Sequence, residues 1–208
     1  MTTRFSWLLL CAPLIGCEAG PEPTHGPART PEAGPTPLSK TLDVSVPTWP
    51  ARSSIDQATR GVLSEATLAR LDRSAIPVLV PKQAALLQAP GVVVKPAYYS
   101  LALPGAGEHA GVNVVVSATR VSHRYADIPP VKGNRSVRGL PAFITENEGI
   151  WSVTWFEHGV SYVVEVECAR PSEDARCADA AFVSELAEGL VFIGGSFGDG
   201  VLDGGGAK

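Results

Sequence analysis

The chain has 208 residues, 45% of them apolar, and carries 17 Lys and Arg against 21 Asp and Glu, a formal charge of −4. A net acidic chain lacks the basic face that releases phosphate counterions, so no nucleic-acid partner is expected. Its apolar runs fall short of the roughly 18 residues of a spanning helix, and its length suits one core plus appendages.

Met1 to Arg4 is a short positive start, and Phe5 to Gly16 is an apolar stretch of signal-peptide length. The stretch runs into Leu14-Ile15-Gly16-Cys17, which resembles the lipobox of bacterial lipoproteins. In that family the leader is cut before the Cys, whose thiol and new amino group are acylated. The resemblance implies that residues 1–16 are a signal peptide and that Cys17 is the lipid-bearing first residue of the mature chain. Two or more acyl chains anchor stably, because each buried CH₂ contributes about 0.8 kcal/mol. Glu18, rather than Asp, follows Cys17, which in such proteins points to the outer membrane. The expected location is therefore the outer membrane, facing the periplasm. The expected partners are the membrane itself, through the lipid, and another envelope protein. Without Arg4 the mature chain holds 16 basic against 21 acidic residues, a net charge of −5.

Residues 17–50 read as a lipidated Cys followed by a disordered tether. Eight prolines fall between Glu18 and Pro50, and aliphatic residues are scarce before Leu42, Val44 and Val46. Such a segment buries too little apolar surface to offset its ordering entropy. Proline extends it at about 3.1 Å per residue, a reach on the order of 100 Å.

From Ser53 to Ser74 apolar residues recur near a 3.6 period, with Gly61 as a break, so residues 51–75 read as one or two short peripheral helices. Ile76 to Pro81 is an extended piece demoted to an edge strand or an extended lead-in by Pro77 and Pro81. Lys82 to Gln88 reads as two helical turns stopped by Pro90-Gly91. Strands follow at Gly91–Lys95, Tyr98–Leu103 and Gly111–Arg120, all rich in β-branched or aromatic residues. His123 to Arg138 reads as a loop. Leu140–Thr145, Ile150–Phe156 and Val160–Cys168 read as strands joined by turns at Glu146–Gly149 and Glu157–Gly159, whose Asn, His and Gly tolerate positive φ. Alternation places Tyr162, Val164, Val166 and Cys168 on one side of the last strand and Ser161, Val163, Glu165 and Glu167 on the other. Trp151, Val153 and Trp155 likewise alternate with Ser152, Thr154 and Phe156. Asp179 to Leu190 carries an apolar stripe of Phe182, Val183, Leu186, Ala187 and Leu190 and reads as a helix. The sheet's apolar face is the available partner for that stripe. Residues 198–208 read as a flexible Gly-rich tail. The fold class expected is α+β: an antiparallel β-meander packed against a C-terminal helix, with short N-terminal helices, and a globular domain over residues 76–197.

Of four cysteines, Cys11 leaves with the leader and Cys17 takes lipid. Cys168 and Cys177 remain, and an exported chain points to a disulfide between them. A loop this short contributes about 2–3 kcal/mol in the chain-entropy account. The alternatives, a redox pair or a metal site, lack a CxxC spacing and a nearby His or third Cys.

The run Trp155-Phe-Glu157-His-Gly159-Val-Ser-Tyr162, followed by the Leu186/Leu190 helix, is similar to small α+β domains of unknown function in bacterial exported proteins and anti-sigma-factor regulators. That similarity covers about residues 140–192. It implies a curved antiparallel sheet backed by a helix and no catalytic residue.

The sequence offers no catalytic constellation, no metal site and no cofactor motif. His25, His109, His123 and His158 are scattered, and no Gly-x-Ser-x-Gly elbow occurs. Gly194 to Gly200 is glycine-rich but lacks the Lys-Ser/Thr of a phosphate loop. Glu165 and Glu167 read as a solvated pair on one strand face. The most basic stretch, with Arg124, Lys132, Arg135 and Arg138, is a candidate surface for an anionic lipid, a glycan or an envelope protein. Trp151, Trp155 and Tyr162 join it as a candidate apolar platform, should one sheet face be open. The function expected is a lipid-anchored, non-catalytic binding domain. The alternatives are an enzyme using His123 or His158, or a structural accessory of the envelope.

Overall fold

A computed structural model describes residues 40–126, 128–129 and 131–197. The residues read as a leader, Cys17 with the first part of the expected tether, and the expected 198–208 tail lie outside the described residues. In chain order the elements begin with strand β1 (Lys40–Val44), helices α1 (Gln57–Arg60) and α2 (Glu65–Leu71), and strand β2 (Val78–Val80). Strands β3 (Gly91–Lys95), β4 (Tyr98–Pro104), β5 (Val112–Thr119), β6 (Val121–Tyr125) and β7 (Arg135–Val137) follow. The chain then forms β8 (Leu140–Asn147), β9 (Ile150–Glu157), β10 (Val160–Cys168), helix α3 (Ala181–Glu188) and β11 (Val191–Gly194).

The fold is α+β. Its centre is a seven-stranded sheet in the order β3-β4-β5-β10-β9-β8-β7, antiparallel throughout. It is two meanders joined at the β5–β10 pair, where Val164 lies opposite Val116. The second meander turns through three two-residue loops. Arg138-Gly139, Glu148-Gly149 and His158-Gly159 all adopt positive φ. That is the conformation whose twist matches paired antiparallel strands.

One face of this sheet is covered. Tyr99, Leu101, Val114, Val116, Val153, Trp155, Tyr162 and Val164 are buried on it. Helix α3 lays Val183, Leu186 and Ala187 against β9 and β10. It is shorter than the Asp179–Leu190 expected, because Gly189 closes it while the Asp179 carboxylate accepts from the Ala181 N–H. The small β2–β11 sheet completes the cover and is stitched to the large one by phenols. The Tyr99 hydroxyl accepts from the Leu79 N–H and donates to the Leu79 carbonyl, while Tyr162 donates to the Pro77 carbonyl at 2.9 Å. Burial pushes the pKa of both hydroxyls up, so they stay protonated donors.

Four further expectations change. Residues 40–50 are not free tether. Strand β1 pairs with β6, Thr48 N–H donates to the His158 carbonyl, and Trp49 stacks on Phe197 at 4.9 Å. The stretch is held by backbone pairing, by the Ser45 hydroxyl donating to the Arg120 carbonyl and by Trp49, while Leu42, Val44 and Val46 stay exposed. The helical segment is not peripheral, since Leu63 and Leu71 are buried in the core and Arg60 bridges Asp72 to the Ile193 carbonyl. Lys82–Gln88 supplies a single 3₁₀ turn at Ala84–Leu86 instead of two helical turns. The 123–138 region holds the end of β6 and all of β7, because short basic strands at an edge show little alternation.

Candidate functional site

Successive side chains of a strand point to opposite faces, so the buried row fixes what the other face carries. Opposite Trp155 and Tyr162 the uncovered face presents Thr154, Phe156, Ser161 and Val163. Neighbouring β8 adds Phe143, which lies across from Thr154 in register. Trp155 is 2% exposed and Phe156, the next residue, is 60% exposed. Phe143 is 36% and Val131 70% exposed. These apolar groups line a groove of about 780 Å³ between the 131–136 segment and the open face of β8 and β9, with Lys132 and Arg135 also on its lining. None of its twelve described lining residues is acidic. Phe156 and Ser161 also line a second concavity of about 530 Å³, beneath the β1–β6 ribbon with Val44, Arg120 and Arg124.

The 131–136 segment is fixed by backbone mimicry. The Asn134 carboxamide donates to the Ile144 carbonyl at 3.0 Å and accepts from the Ile144 N–H at 2.9 Å. Gly133 runs so close that an added Cβ would lie 2.6 Å from the Ala142 backbone nitrogen. Any larger residue there would push the groove wall off β8.

The candidate surface residues separate into two groups. Lys132 and Arg135 are exposed on the groove lining, without a carboxylate partner among the described residues. Arg124 is exposed on β6 and pairs with Asp43 of β1 at 2.9 Å. Arg138, Trp151, Trp155 and Tyr162 instead spend their polar atoms on the fold, although Trp155 also reaches the groove lining. Arg138 clamps the Glu157 carboxylate at 2.7 Å and donates to the Leu190 carbonyl just beyond α3. The Trp151 indole N–H donates to the Cys177 carbonyl at 3.0 Å, and Trp155 donates to Glu157 at 2.9 Å while stacking on Tyr162. The apolar platform is therefore made by Phe143 and Phe156 on the opposite face. The strand alternation already separated Phe156 from the two tryptophans. It carried no sign of which face the 131–136 segment would wall.

Cys168 and Cys177 form a disulfide, with Cα atoms 6.2 Å apart, tying the end of β10 to the turn before α3. Arg176 steadies that loop by pairing with Asp174 and donating to the Glu108 and Ala110 carbonyls. The Arg176 hydrogen bonds hold the Asp174 carboxyl down at about 2.

Two histidines bear on the enzyme alternative. His158 Nε2 lies 3.3 Å from Glu157 Oε1, but Arg138 contacts both oxygens of that carboxylate. Burial alone would raise the Glu157 pKa; the bonds from Arg138 and Trp155 outweigh it and hold the carboxylate ionised. An ion pair of this kind holds a turn and gives a base little freedom. His123 is exposed on β6, in the concavity with Arg124, Tyr125 and Ile128. Among the described residues no group of three or more His, Cys, Asp or Glu is arranged to hold a metal ion, and no helix is long and apolar enough to cross a membrane. Comparison with protein-family models, curated proteins and solved structures gives no match.

Proposed function

We propose that this chain is an exported bacterial protein, anchored by lipid on Cys17 at the outer membrane and facing the periplasm, whose domain binds a ligand or envelope partner without catalysis. The observation that carries the binding reading is the groove: exposed Phe143, Phe156 and Val131 beside Lys132 and Arg135, on a sheet face that the fold leaves uncovered. Contiguous exposed apolar surface rimmed by polar groups marks an interaction site more often than chance exposure does. The anchor reading is supported by the leader, by Leu14-Ile15-Gly16-Cys17, and by a disulfide suited to an oxidising compartment. Metabolic labelling with a palmitate analogue, followed by membrane fractionation, tests the anchor. The parent is expected to label and sediment with outer membranes, and Cys17→Ala to lose both properties. Equal labelling of the two chains would contradict the anchor.

A further inference from the structure

We propose that the groove between the 131–136 segment and β8–β9 binds a long-chain alkyl carboxylate, the chain lying on Phe143 and Phe156 and the head group meeting Lys132 and Arg135. The proposal rests on the reading of the domain as a binding module and names its ligand class; it does not depend on the anchor.

Three observations select this chemistry. The first is charge. The chain is net acidic at −4, yet the described residues of the groove lining hold two cations and no carboxylate. Among the described lining residues a cationic head group finds no carboxylate, whereas an anionic one meets two donors whose charges are unneutralised. The second is the apolar content. Phe156 leaves 60% of its surface in water, and Phe143 and Val131 extend the apolar patch on either side. An alkyl chain laid across them gains by removing that surface from water. The third is the β8 backbone beside the groove wall, which is already paired and gives an extended peptide no place to add a strand there. Peptides dock on sheets chiefly by adding a strand to free backbone N–H and C=O groups. Here Arg135 pairs with Ala142, and the Asn134 carboxamide takes both the N–H and the C=O of Ile144. The groove therefore offers side chains and charge but no open ladder on that stretch of β8. Its volume of about 780 Å³ falls within the roughly 300–1,000 Å³ usual for small-molecule sites.

The test uses the full chain carrying Cys17→Ser, which removes the acylated thiol and keeps every described residue. It is purified free of detergent and titrated calorimetrically with dodecanoate below its micellar range. The expected result is saturable binding at one site. Lys132→Ala/Arg135→Ala is expected to weaken it by about tenfold or more, the scale of a lost charge-assisted contact. Phe156→Asp, which changes the floor and not the rim, is expected to weaken it as much, and dodecyltrimethylammonium to bind at least about tenfold less well than dodecanoate. Unsaturable uptake, equal binding of the two head groups, or indifference to both variants would overturn the proposal. If dodecanoate fails but an acidic peptide binds in a Lys132- and Arg135-dependent way, the alkyl carboxylate is wrong and the binding module stands. If neither binds, both readings fall.

Discussion

The two faces of the seven-stranded sheet are built from the same strands and do opposite work. On the covered face Trp155, Tyr162, Val164 and Val116 are packed beneath α3 and the β2–β11 pair, and their polar atoms are spent on the fold. On the uncovered face Phe156, Thr154, Ser161 and Phe143 meet solvent or the groove. Trp155 and Phe156 are chain neighbours, both large and aromatic, yet one is a core residue and the other a candidate ligand contact. Residue type is thus a poor guide to role here, and strand parity is a good one.

The largest expected effect separates these neighbours. Trp155→Ala should lower stability by about 3–5 kcal/mol, through lost transfer energy and a cavity. Phe156→Ala should stay within about 0.5 kcal/mol of the parent, as surface changes usually do. Urea denaturation of the two variants checks this, and equal losses would break the distinction between faces.

Next comes the disulfide. Closing a loop between Cys168 and Cys177, nine residues apart, contributes about 2.5 kcal/mol in the chain-entropy account. The Cys168→Ala/Cys177→Ala double variant should lose that amount in the same denaturation assay. Its dodecanoate affinity should be unchanged, because the bond ties the covered side.

A comparable effect, about 2 kcal/mol after allowing for partial exposure, is expected for Arg138→Met, which strands the Glu157 carboxylate. Its pH dependence gives a sharper reading. The Glu157 pKa is lowered in the folded state, so its stabilisation is fully present above the unfolded value near pH 4 and is lost as pH falls through the folded value. Asp174, held at about 2, behaves in the same way. The parent should therefore lose stability steadily from about pH 4 toward pH 2. In Arg138→Met the burial that raises the Glu157 pKa is no longer outweighed. The loss on acidification should then be shallower, as measured by thermal midpoints across that range.

The smallest effect on stability is expected for Lys132→Glu/Arg135→Glu. Both residues are exposed and without carboxylate partners among the described residues, so the urea midpoint should barely move while dodecanoate binding collapses.

How much of this was legible in the sequence differs by element. The central strands were readable, because Val112 to Ala118 and Val160 to Cys168 alternate cleanly and Gly149 and Gly159 mark their turns. Helix α3 was readable from its apolar stripe. Strands β1 and β6 were not. Leu42 and Val44 sit in a Pro-rich stretch and pair with His123 and Val121 some eighty residues later, and composition cannot anticipate a partner that distant. The Cys168–Cys177 pairing followed from setting aside Cys11 and Cys17 and from the expectation of export. The candidate site was half legible. Lys132 and Arg135 stood out as charges. Phe143 and Phe156 did not, because the more conspicuous aromatics, Trp155 and Tyr162, belong to the core. Arg138 looked like a member of the basic surface and proved to be a clamp, because its positive-φ turn aims it at Glu157.

The most direct measurement is the dodecanoate dissociation constant of Phe156→Asp taken beside its urea midpoint. The account predicts a midpoint close to the parent's and a constant raised about tenfold or more, since Phe156 belongs to the uncovered face and to the groove. Unchanged affinity, or a loss of stability on the scale of Trp155→Ala, would contradict it.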